Sequence, residues 1–285
     1  MTAGTLVQAA LTASADELVR CDARLRAGDD AEAVHDARVA VRRLRSDLRA
    51  LRPALDRAWA NELRERLRWL GDELGAARDA GVLLERLSRD VGTLRAPEAA
   101  GVREALEPWC AARDAAYARV AAMVLEPRYA ALLEQIVAAG RAPHAGGQAA
   151  EDACAFAAAV MRAAWKTLRK TVRRRSRPPT DLELHRIRMK AKRARYTAEA
   201  VIPVVGKRAR RFAREVEALQ NVLGEQHDAV VAYERLCRDG AGGDHAGITG
   251  ELATLEGEAA QRARRRWRKA WRRVARRKRR FWSGL

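Results

Sequence analysis

The sequence predicts an all-α protein, and three observations support this fold class. Ala, Leu and Arg dominate the composition, whereas Gly and Pro are sparse and few stretches are rich in β-branched residues. Apolar residues recur at helical spacing along most of the chain, and short segments containing Gly or Pro interrupt them. A pattern of one histidine and several arginines occurs twice, 150 residues apart, which indicates an internally duplicated unit.

Both halves of the chain predict a similar succession of helices. In the first half we expect helices at 3–27, from about 31 to before Pro53, at 56–90 as one helix or two with Gly71 and Gly75 as weak points, from Pro97 to about 125, and at 127–139. In the second half we expect them at 150–175, from Thr180 or Asp181 to before Pro203, at 205–239, and at 248–282. The Gly-rich segment 140–147 is the predicted linker. The sequence therefore predicts two four-helix bundles, over residues 1–140 and 148–285.

The repeated pattern places cations along one face of a helix in each half. The copies are His35-x-x-Arg38-x-x-x-Arg42-Arg43-x-Arg45 and His185-x-x-Arg188-x-x-x-Lys192-Arg193-x-Arg195. Apolar residues at a/d spacing predict the buried face of each helix, and a basic stripe lies roughly 110° around the axis from it. Arg49 extends the first stripe by one turn, whereas Glu199 occupies the matching place in the second.

These two basic stripes predict an anion-binding site. Like charges at i,i+3 and i,i+4 destabilise a helix, and acids that would pair with them are nearly absent from both stripes. The chain carries 56 Lys and Arg against 37 Asp and Glu, a formal charge of +19. Such an excess favours a polyanionic partner: nucleic acid, inorganic polyphosphate or anionic lipid. A solvated helix flank is the alternative interpretation of either stripe taken alone.

His35 and His185 share the basic face with the arginines, which lower the pKa of a neighbouring imidazole. A neutral imidazole would either donate a hydrogen bond to a phosphate oxygen or bind a neighbouring helix. His144 and His245, in the predicted loops, have no evident partner in the sequence.

Two further segments are strongly basic. Residues 166–195 hold 13 Lys and Arg against two acids, and Lys166, Arg169 and Arg173 have a spacing that would let them face the second motif helix. The matching helix of the first half has Asp16 and Glu17, so we expect the second half to hold more of the binding affinity. The last helix is also basic, but its apolar stripe predicts packing on the second bundle rather than at a membrane interface.

No pattern in the sequence predicts catalysis. A phosphate-binding GxxxxGK[ST] loop, a GxGxxG turn and an HExxH motif are all missing, and no Ser or Cys lies near a plausible base. The four cysteines are scattered, which favours reduced thiols in a cytosolic protein. No apolar run reaches the length of a membrane span, and no signal peptide is evident. We therefore expect a cytoplasmic protein that is not an enzyme, with no catalytic residues, no cofactor and no metal.

The doubled motif resembles the CHAD family, the conserved histidine α-helical domain. A second repeated motif supports the resemblance: Leu74-Gly75-x-x-Arg78-Asp79 and Leu223-Gly224-x-x-His227-Asp228. The resemblance covers almost the whole chain. It implies two four-helix bundles related by a pseudo-two-fold axis, with basic residues lining a central groove or pore that binds inorganic polyphosphate. It also implies association with bacterial polyphosphate granules.

The resemblance implicates particular residues: His35, Arg38, Arg42, Arg43, Arg45, His185, Arg188, Lys192, Arg193 and Arg195. Many family members also carry a triphosphate tunnel domain, and its alternating Glu-x-Glu-x-Lys strand is not found in this sequence. The expected function is therefore that of a stand-alone polyphosphate binder rather than an enzyme that cleaves polyphosphate.

Two other functions remain open at the level of sequence. A sequence-independent nucleic-acid binder is the runner-up, because the charge permits weak binding to nucleic acid at low salt. Few aromatic residues are available to stack on bases, which argues against it. A phosphatase or phosphohistidine enzyme that uses His35 or His185 is the third possibility.

Overall fold

The computed structural model describes residues 1–28, 31–94, 99–239, 246–276 and 282, and within these ranges the protein is all-α, as predicted. The helices in the described ranges are α1 (Ala3–Ala27), α2 (Ala31–Ala50), α3 (Arg57–Val91), α4 (Ala99–Met123), α5 (Pro127–Arg141), α6 (Ala153–Arg173), α7 (Asp181–Ala200), α8 (Ile202–Val205), α9 (Lys207–Asp239) and α10 (Ala246–Val274). The predicted start of a helix at Pro97 and the predicted last turns of the final helix lie largely outside the described residues.

Capping side chains fix several helix boundaries. Thr2 caps α1 and Thr180 caps α7, each in a reciprocal capping box with the residue three positions later. The Asp152 carboxylate accepts hydrogen bonds from the first amides of α6, so this helix begins later than the predicted residue 150. Gly28 adopts a φ of +78° and ends α1, a conformation that favours glycine.

Helix α3 continues without a break through Gly71 and Gly75, although both residues weaken a helix. Leu67, Leu70 and Leu74 on the same helix are almost completely buried. Packing of this face therefore outweighs the helix propensity of the two glycines.

The segment predicted to be a linker is pinned to the first half of the chain. The Asp56 amide donates to the His144 carbonyl at 2.9 Å, and the Gly146 amide donates to the Ala54 carbonyl at 3.0 Å. The His144 ring also stacks on Trp59, with ring centroids 4.8 Å apart. His144 therefore has a packing partner that the sequence did not reveal, and segment 140–147 is an ordered connection.

The hydrophobic core extends through both halves of the chain. One cluster contains buried residues from α1 to α7 and from α9 and α10. A smaller cluster joins Leu83 on α3 and Trp109 on α4 to Leu236 on α9 and Leu252 on α10. The division into bundles at 1–140 and 148–285, and the pseudo-two-fold axis, remain predictions.

Helix α10 packs against α9, and its Trp267 is buried in the main core, as its apolar stripe predicted. No helix in the described ranges combines the length and the apolar character needed to cross a membrane. For the candidate site, the important contact is that between α2 and α7, because it brings the two motif helices side by side.

Candidate functional site

A cavity of about 680 Å³ lies between α2, α3, α6 and α7. Among the described residues that line it, the only carboxylate is that of Asp72. The lining cations are Arg38, Arg42, Arg45, Arg49, Arg52, Arg64, Lys190, Lys192 and Arg193. We call this space the cationic cavity. Its excess of positive charge suits an anion that carries several negative charges.

Helix α2 supplies the basic stripe predicted from the sequence. Arg38, Arg42, Arg45 and Arg49 recur every three or four residues, so they share one helix face, and all four line the cavity. The side chains of Arg45 and Arg38 cross α3 at Gly71 and Gly75, where that helix has no side chain of its own. A Cβ atom at Gly71 would lie 3.1 Å from Nη1 of Arg45, and one at Gly75 would lie 3.8 Å from Nε of Arg38.

Helix α7 places Lys192 in the lining of the cavity, close to cations of both motif helices. Burial and the neighbouring Arg188, Arg42 and Arg38 together lower the pKa of Lys192 to about 7. Burial likewise lowers the pKa of Arg42, and the positive charges of Arg38 and Arg195 add to this effect. These mutual effects show that the cations of α2 and α7 converge.

A second group of cations lies around Arg193. Burial lowers the pKa of Arg193, and Arg49 and Arg64 add to this effect. Burial also lowers the pKa of Lys190, and Arg193 and Arg49 add to this effect. Cations of α2, α3 and α7 therefore lie close together in the lining.

Two buried donors in this cavity have no acceptor among the described residues. They are the Nε–H groups of Arg42 and Arg64. Buried N–H groups are nearly always hydrogen-bonded, so a polar ligand in the cavity would satisfy these two donors. The Tyr196 ring is the only aromatic surface in the described lining, and the guanidinium groups of Arg42 and Arg195 lie 5.6 and 5.1 Å from its centroid.

The predicted stripe of α7 mostly misses the cavity. Of its four members, only Lys192 is in the lining, whereas His185, Arg188 and Arg195 are not. Arg195 lies 3.0 Å from Glu199 and 2.8 Å from Glu217. The stripe of α2 therefore lines the cavity from Arg38 to Arg49, whereas that of α7 contributes Lys192 to the described lining. That both stripes surround one trough stays a prediction.

The repeated Leu-Gly-x-x-Arg/His-Asp motif has a structural explanation. Its aspartate forms an ion pair with the first arginine of the motif helix in both halves: Arg38 with Asp79 at 3.0 Å, and Arg188 with Asp228 at 3.8 Å. Its glycine lies under the same arginine, since a Cβ atom at Gly224 would be 3.7 Å from Nε of Arg188. The same local arrangement thus occurs twice in the chain.

Four other predicted residues lie outside the lining. Arg43 is exposed and lies 3.6 Å from Glu199. Lys166, Arg169 and Arg173 are exposed on α6, whose face toward the cavity carries small or neutral side chains such as Ala163 and Thr167. Ligand contact by these four residues stays a prediction.

The first half supplies six of the nine lining cations, counting Arg52 and Arg64, and the second half supplies three. The count of lining cations does not favour the second half, and the expectation that this half holds more of the affinity stays a prediction. Asp16 and Glu17, which had suggested a weaker first half, are not among the lining residues.

Neither motif histidine lines the cavity. His35 is half-buried on α2, outside the lining. His185 packs against His227, with ring centroids 4.5 Å apart, and its Nδ1 has no hydrogen-bond partner among the described residues. Burial, Arg188 and Lys192 lower the pKa of His185, and burial together with Arg188, His185 and Lys192 lowers that of His227 to about 4. Both imidazoles are therefore neutral at pH 7.

The sequence did not single out Arg52, Arg64 and Lys190 as site residues. Arg64 lies on α3, outside the repeated pattern, and no signal in the sequence distinguishes it from the other arginines of that helix. Lys190 belongs to the motif helix but lies on a different face from the predicted stripe. Among the residues that the structure describes, no cluster of His, Cys, Asp or Glu could hold a metal ion.

Comparison with known proteins agrees with this architecture. Two curated relatives are uncharacterized proteins of Mycobacterium tuberculosis, Rv2226 of strain H37Rv and MT2285 of strain CDC 1551; they are 33% and 32% identical over 272 residues. These matches cover 90% of this chain and 51% of each relative, so the chain spans about half the length of the curated relatives it matches.

Two solved structures share the fold. PptA from Streptomyces chartreusis has a TM-score of 0.79 at 21% identity, and the match covers 95% of this chain and 100% of that one. The CHAD domain from the plant Ricinus communis has a TM-score of 0.69 at 26% identity, over 93% and 92% of the two chains. The model of the CHAD domain matches residues 9–237, which include both motif helices and every cation that lines the cavity, and the chain therefore belongs to the CHAD family.

Proposed function

We propose that this protein binds inorganic polyphosphate in the cationic cavity between α2 and α7. The CHAD family is linked to polyphosphate binding. The observation that carries the proposal for this chain is the composition of the cavity: nine cations, one carboxylate and two buried guanidinium donors without an acceptor among the described residues. A ligand with closely spaced phosphoryl oxygens would satisfy these donors and relieve the repulsion between the cations.

Arginine suits this ligand for two reasons. Its guanidinium stays charged even where burial lowers its pKa, as it does at Arg42 and Arg64. Its planar fork also donates two parallel hydrogen bonds to neighbouring phosphoryl oxygens. Release of condensed counterions would supply much of the binding free energy, so the affinity should fall steeply as the salt concentration rises.

We propose binding without cleavage. The described lining of the cavity contains no histidine or cysteine, and its hydroxyl groups belong to Ser46, Thr167, Tyr196 and Thr197. The Ser46 and Thr197 hydroxyls each donate to the backbone carbonyl four residues earlier. His35 and His185, which would serve a phosphohistidine mechanism, lie outside this lining.

Polyphosphate also fits the cavity better than nucleic acid does. Single-stranded nucleic acids gain much of their affinity from stacking on aromatic side chains. Tyr196 is buried, and Arg42 and Arg195 lie near its ring. An unbranched chain of phosphates needs no stacking surface, and weak binding of nucleic acid at low salt follows from the net charge alone.

The experiment is a titration with long-chain polyphosphate at physiological salt. We expect Arg42→Gln/Arg49→Gln/Arg193→Gln to weaken binding at least tenfold, because three lining cations are lost. The matched control is Arg208→Gln/Arg210→Gln/Arg214→Gln on α9, which removes the same charge from exposed positions outside the lining. Equal loss in both variants would show that binding is not localised in the cavity, and an affinity that does not change with salt would show that counterion release does not drive it.

Two further measurements separate the alternatives. Competition between long-chain polyphosphate and single-stranded DNA at physiological salt should favour polyphosphate, and a preference for DNA would reverse the assignment. Phosphate release from polyphosphate, measured with and without divalent metal, should stay at background. In cells that store polyphosphate, the fluorescently tagged protein should locate to granules, and the variant with three cavity substitutions should not.

A further inference from the structure

We propose that the groove between α6 and α7 extends the cationic cavity toward the α6–α7 connection and forms a second subsite for the polyanion. We call it the α6–α7 groove. It rests on the proposed function, which it deepens by assigning a preference for long chains. Short chains would occupy the cavity, whereas long chains would continue into the groove.

One wall of the groove follows from the register of α6. Val160, Ala164 and Thr167 line the cavity, and on an α-helix the same face continues at Lys170 and Arg174. Both cations are exposed. The row on α6 is therefore neutral within the cavity and becomes cationic just beyond it.

The other wall follows from α7. Arg193 and Met189 line the cavity, and their face continues toward the start of the helix at Arg186 and Leu182, both of which are exposed. A short connection, residues 174–180, joins α6 to α7, and the two helices pack against each other. The extension of each row therefore lies at the same end of the helix pair.

The nearby acids leave these cations available. The Asp181 carboxylate accepts a hydrogen bond from Gln226 at 2.7 Å and one from Arg264. The Glu183 carboxylate accepts from the amides of Ser176 and Thr180, both at 2.9 Å.

Hydrogen bonding from Ser176 and Thr180 lowers the pKa of Glu183 to about 2, so its negative charge is held within the connection. In the described part of the chain, Lys170, Arg174 and Arg186 form no ion pair with a carboxylate.

The two walls reach different distances past the cavity. Arg174 lies seven residues beyond Thr167, the last lining residue of α6, and Arg186 lies three residues before Met189, the first lining residue of α7. At 1.5 Å per residue, the cations of α6 extend about 10 Å past the cavity and that of α7 about 4–5 Å. A ligand that already fills the cavity can therefore gain three cationic contacts only if its chain is long enough to enter the groove.

The test compares two probes, tripolyphosphate and polyphosphate of about a hundred units, at several salt concentrations. For Lys170→Gln/Arg174→Gln/Arg186→Gln we expect about a tenfold weaker affinity for the long chain and less than a twofold change for tripolyphosphate, since each exposed ion pair contributes little alone. The slope of log affinity against log salt for the long chain should become shallower by roughly 2, by analogy with flexible single strands.

The control is Arg208→Gln/Arg210→Gln/Arg214→Gln, which removes the same net charge, and thermal melting verifies that both variants fold. The inference is overturned if the two variants lose the same affinity for the long chain. It is also overturned if the groove variant loses tripolyphosphate equally, because the residues would then act within the cavity. A wild-type protein that binds neither probe would refute the proposed function itself.

Discussion

Lys192 should make polyphosphate binding depend on pH. It lies on α7 among Arg188, Arg42 and Arg38, and burial together with these charges lowers its pKa to about 7. The Asp228 carboxylate is the neighbour that opposes this effect, and it pairs with Arg188 at 3.8 Å. In the free protein, Lys192 is therefore charged below pH 7 and largely neutral above it.

A bound polyanion would restore the ammonium form. If its negative charge returns the pKa of Lys192 to about 10.4, binding takes up a proton at every pH between the two values. Lys192 is about nine-tenths charged at pH 6 and about one-tenth charged at pH 8 for a pKa of about 7. The affinity should therefore be nearly constant below pH 6.5 and should fall about tenfold between pH 6 and pH 8.

The stability of the free protein should rise with pH in the range where the binding affinity falls. Lys192 has a lower pKa in the folded chain than in the unfolded chain, so between about pH 7 and pH 10 the unfolded chain binds more protons. The contribution of Lys192 to the free energy of unfolding thus rises with pH in this window. A bound polyanion removes that contribution, because both states then hold the proton.

Calorimetry in buffers of different ionisation enthalpy measures the proton uptake directly. The wild type should take up close to one proton on binding a long chain at pH 8, and Lys192→Arg should take up much less because arginine stays charged. Lys190→Arg is the matched control, since burial, Arg193 and Arg49 lower the pKa of Lys190 as well. An affinity independent of pH from 6 to 8, or an unchanged pH dependence in Lys192→Arg, would refute this reasoning.

Three other substitutions test the structure. Gly71→Ala should stabilise the protein by up to about 1 kcal/mol but weaken polyphosphate binding severalfold, because its Cβ atom would displace the Arg45 guanidinium, whose Nη1 lies 3.1 Å away. Gly75→Ala is the control, because its Cβ atom would lie 3.8 Å from Nε of Arg38. Equal affinities of the two variants would contradict this. Burial raises the pKa of Asp47, so the folded state favours the neutral acid and loses stability as the pH rises above about 4. Asp47→Asn should remove this loss, which urea unfolding at pH 5 and pH 8 measures. The same change in unfolding free energy between the two pH values in wild type and variant would count against it. Arg86→Met should lower the free energy of unfolding by about 3–5 kcal/mol, because it leaves the fully buried Glu256 without its ion-pair partner. The double variant Arg86→Met/Glu256→Met should recover most of this loss. A double variant as unstable as the single one would disprove the pairing.

Local features that the sequence encodes directly were predicted well. The start of α7 at Thr180 or Asp181, the length of α2 and its basic face all depend on residues within a few positions of one another. Helical periodicity therefore located Arg38, Arg42, Arg45 and Arg49 on one face, and all of them line the cavity. The repeated motif also sufficed to identify the family.

Features that depend on the placement of whole helices could not be predicted. Periodicity gives the angle between two residues on one helix but not the rotation of that helix toward its neighbours. On α7 the face toward the cavity lies roughly 100° from the predicted stripe, so it includes Lys190 and Arg193 and excludes Arg188 and Arg195. For the same reason, only the packed structure reveals that Arg64 enters the site.

The sequence by itself determined that this chain is helical, that it belongs to a polyanion-binding family, and where its cations lie along each helix. The tertiary structure decided which of those cations are neutralised and which face one another. Asp228 and Glu217 reach the second motif helix from α9, whereas the first motif helix turns most of its stripe toward the cavity. Electrostatic interactions depend on distance in space, and packing brings together charges that are far apart in the sequence.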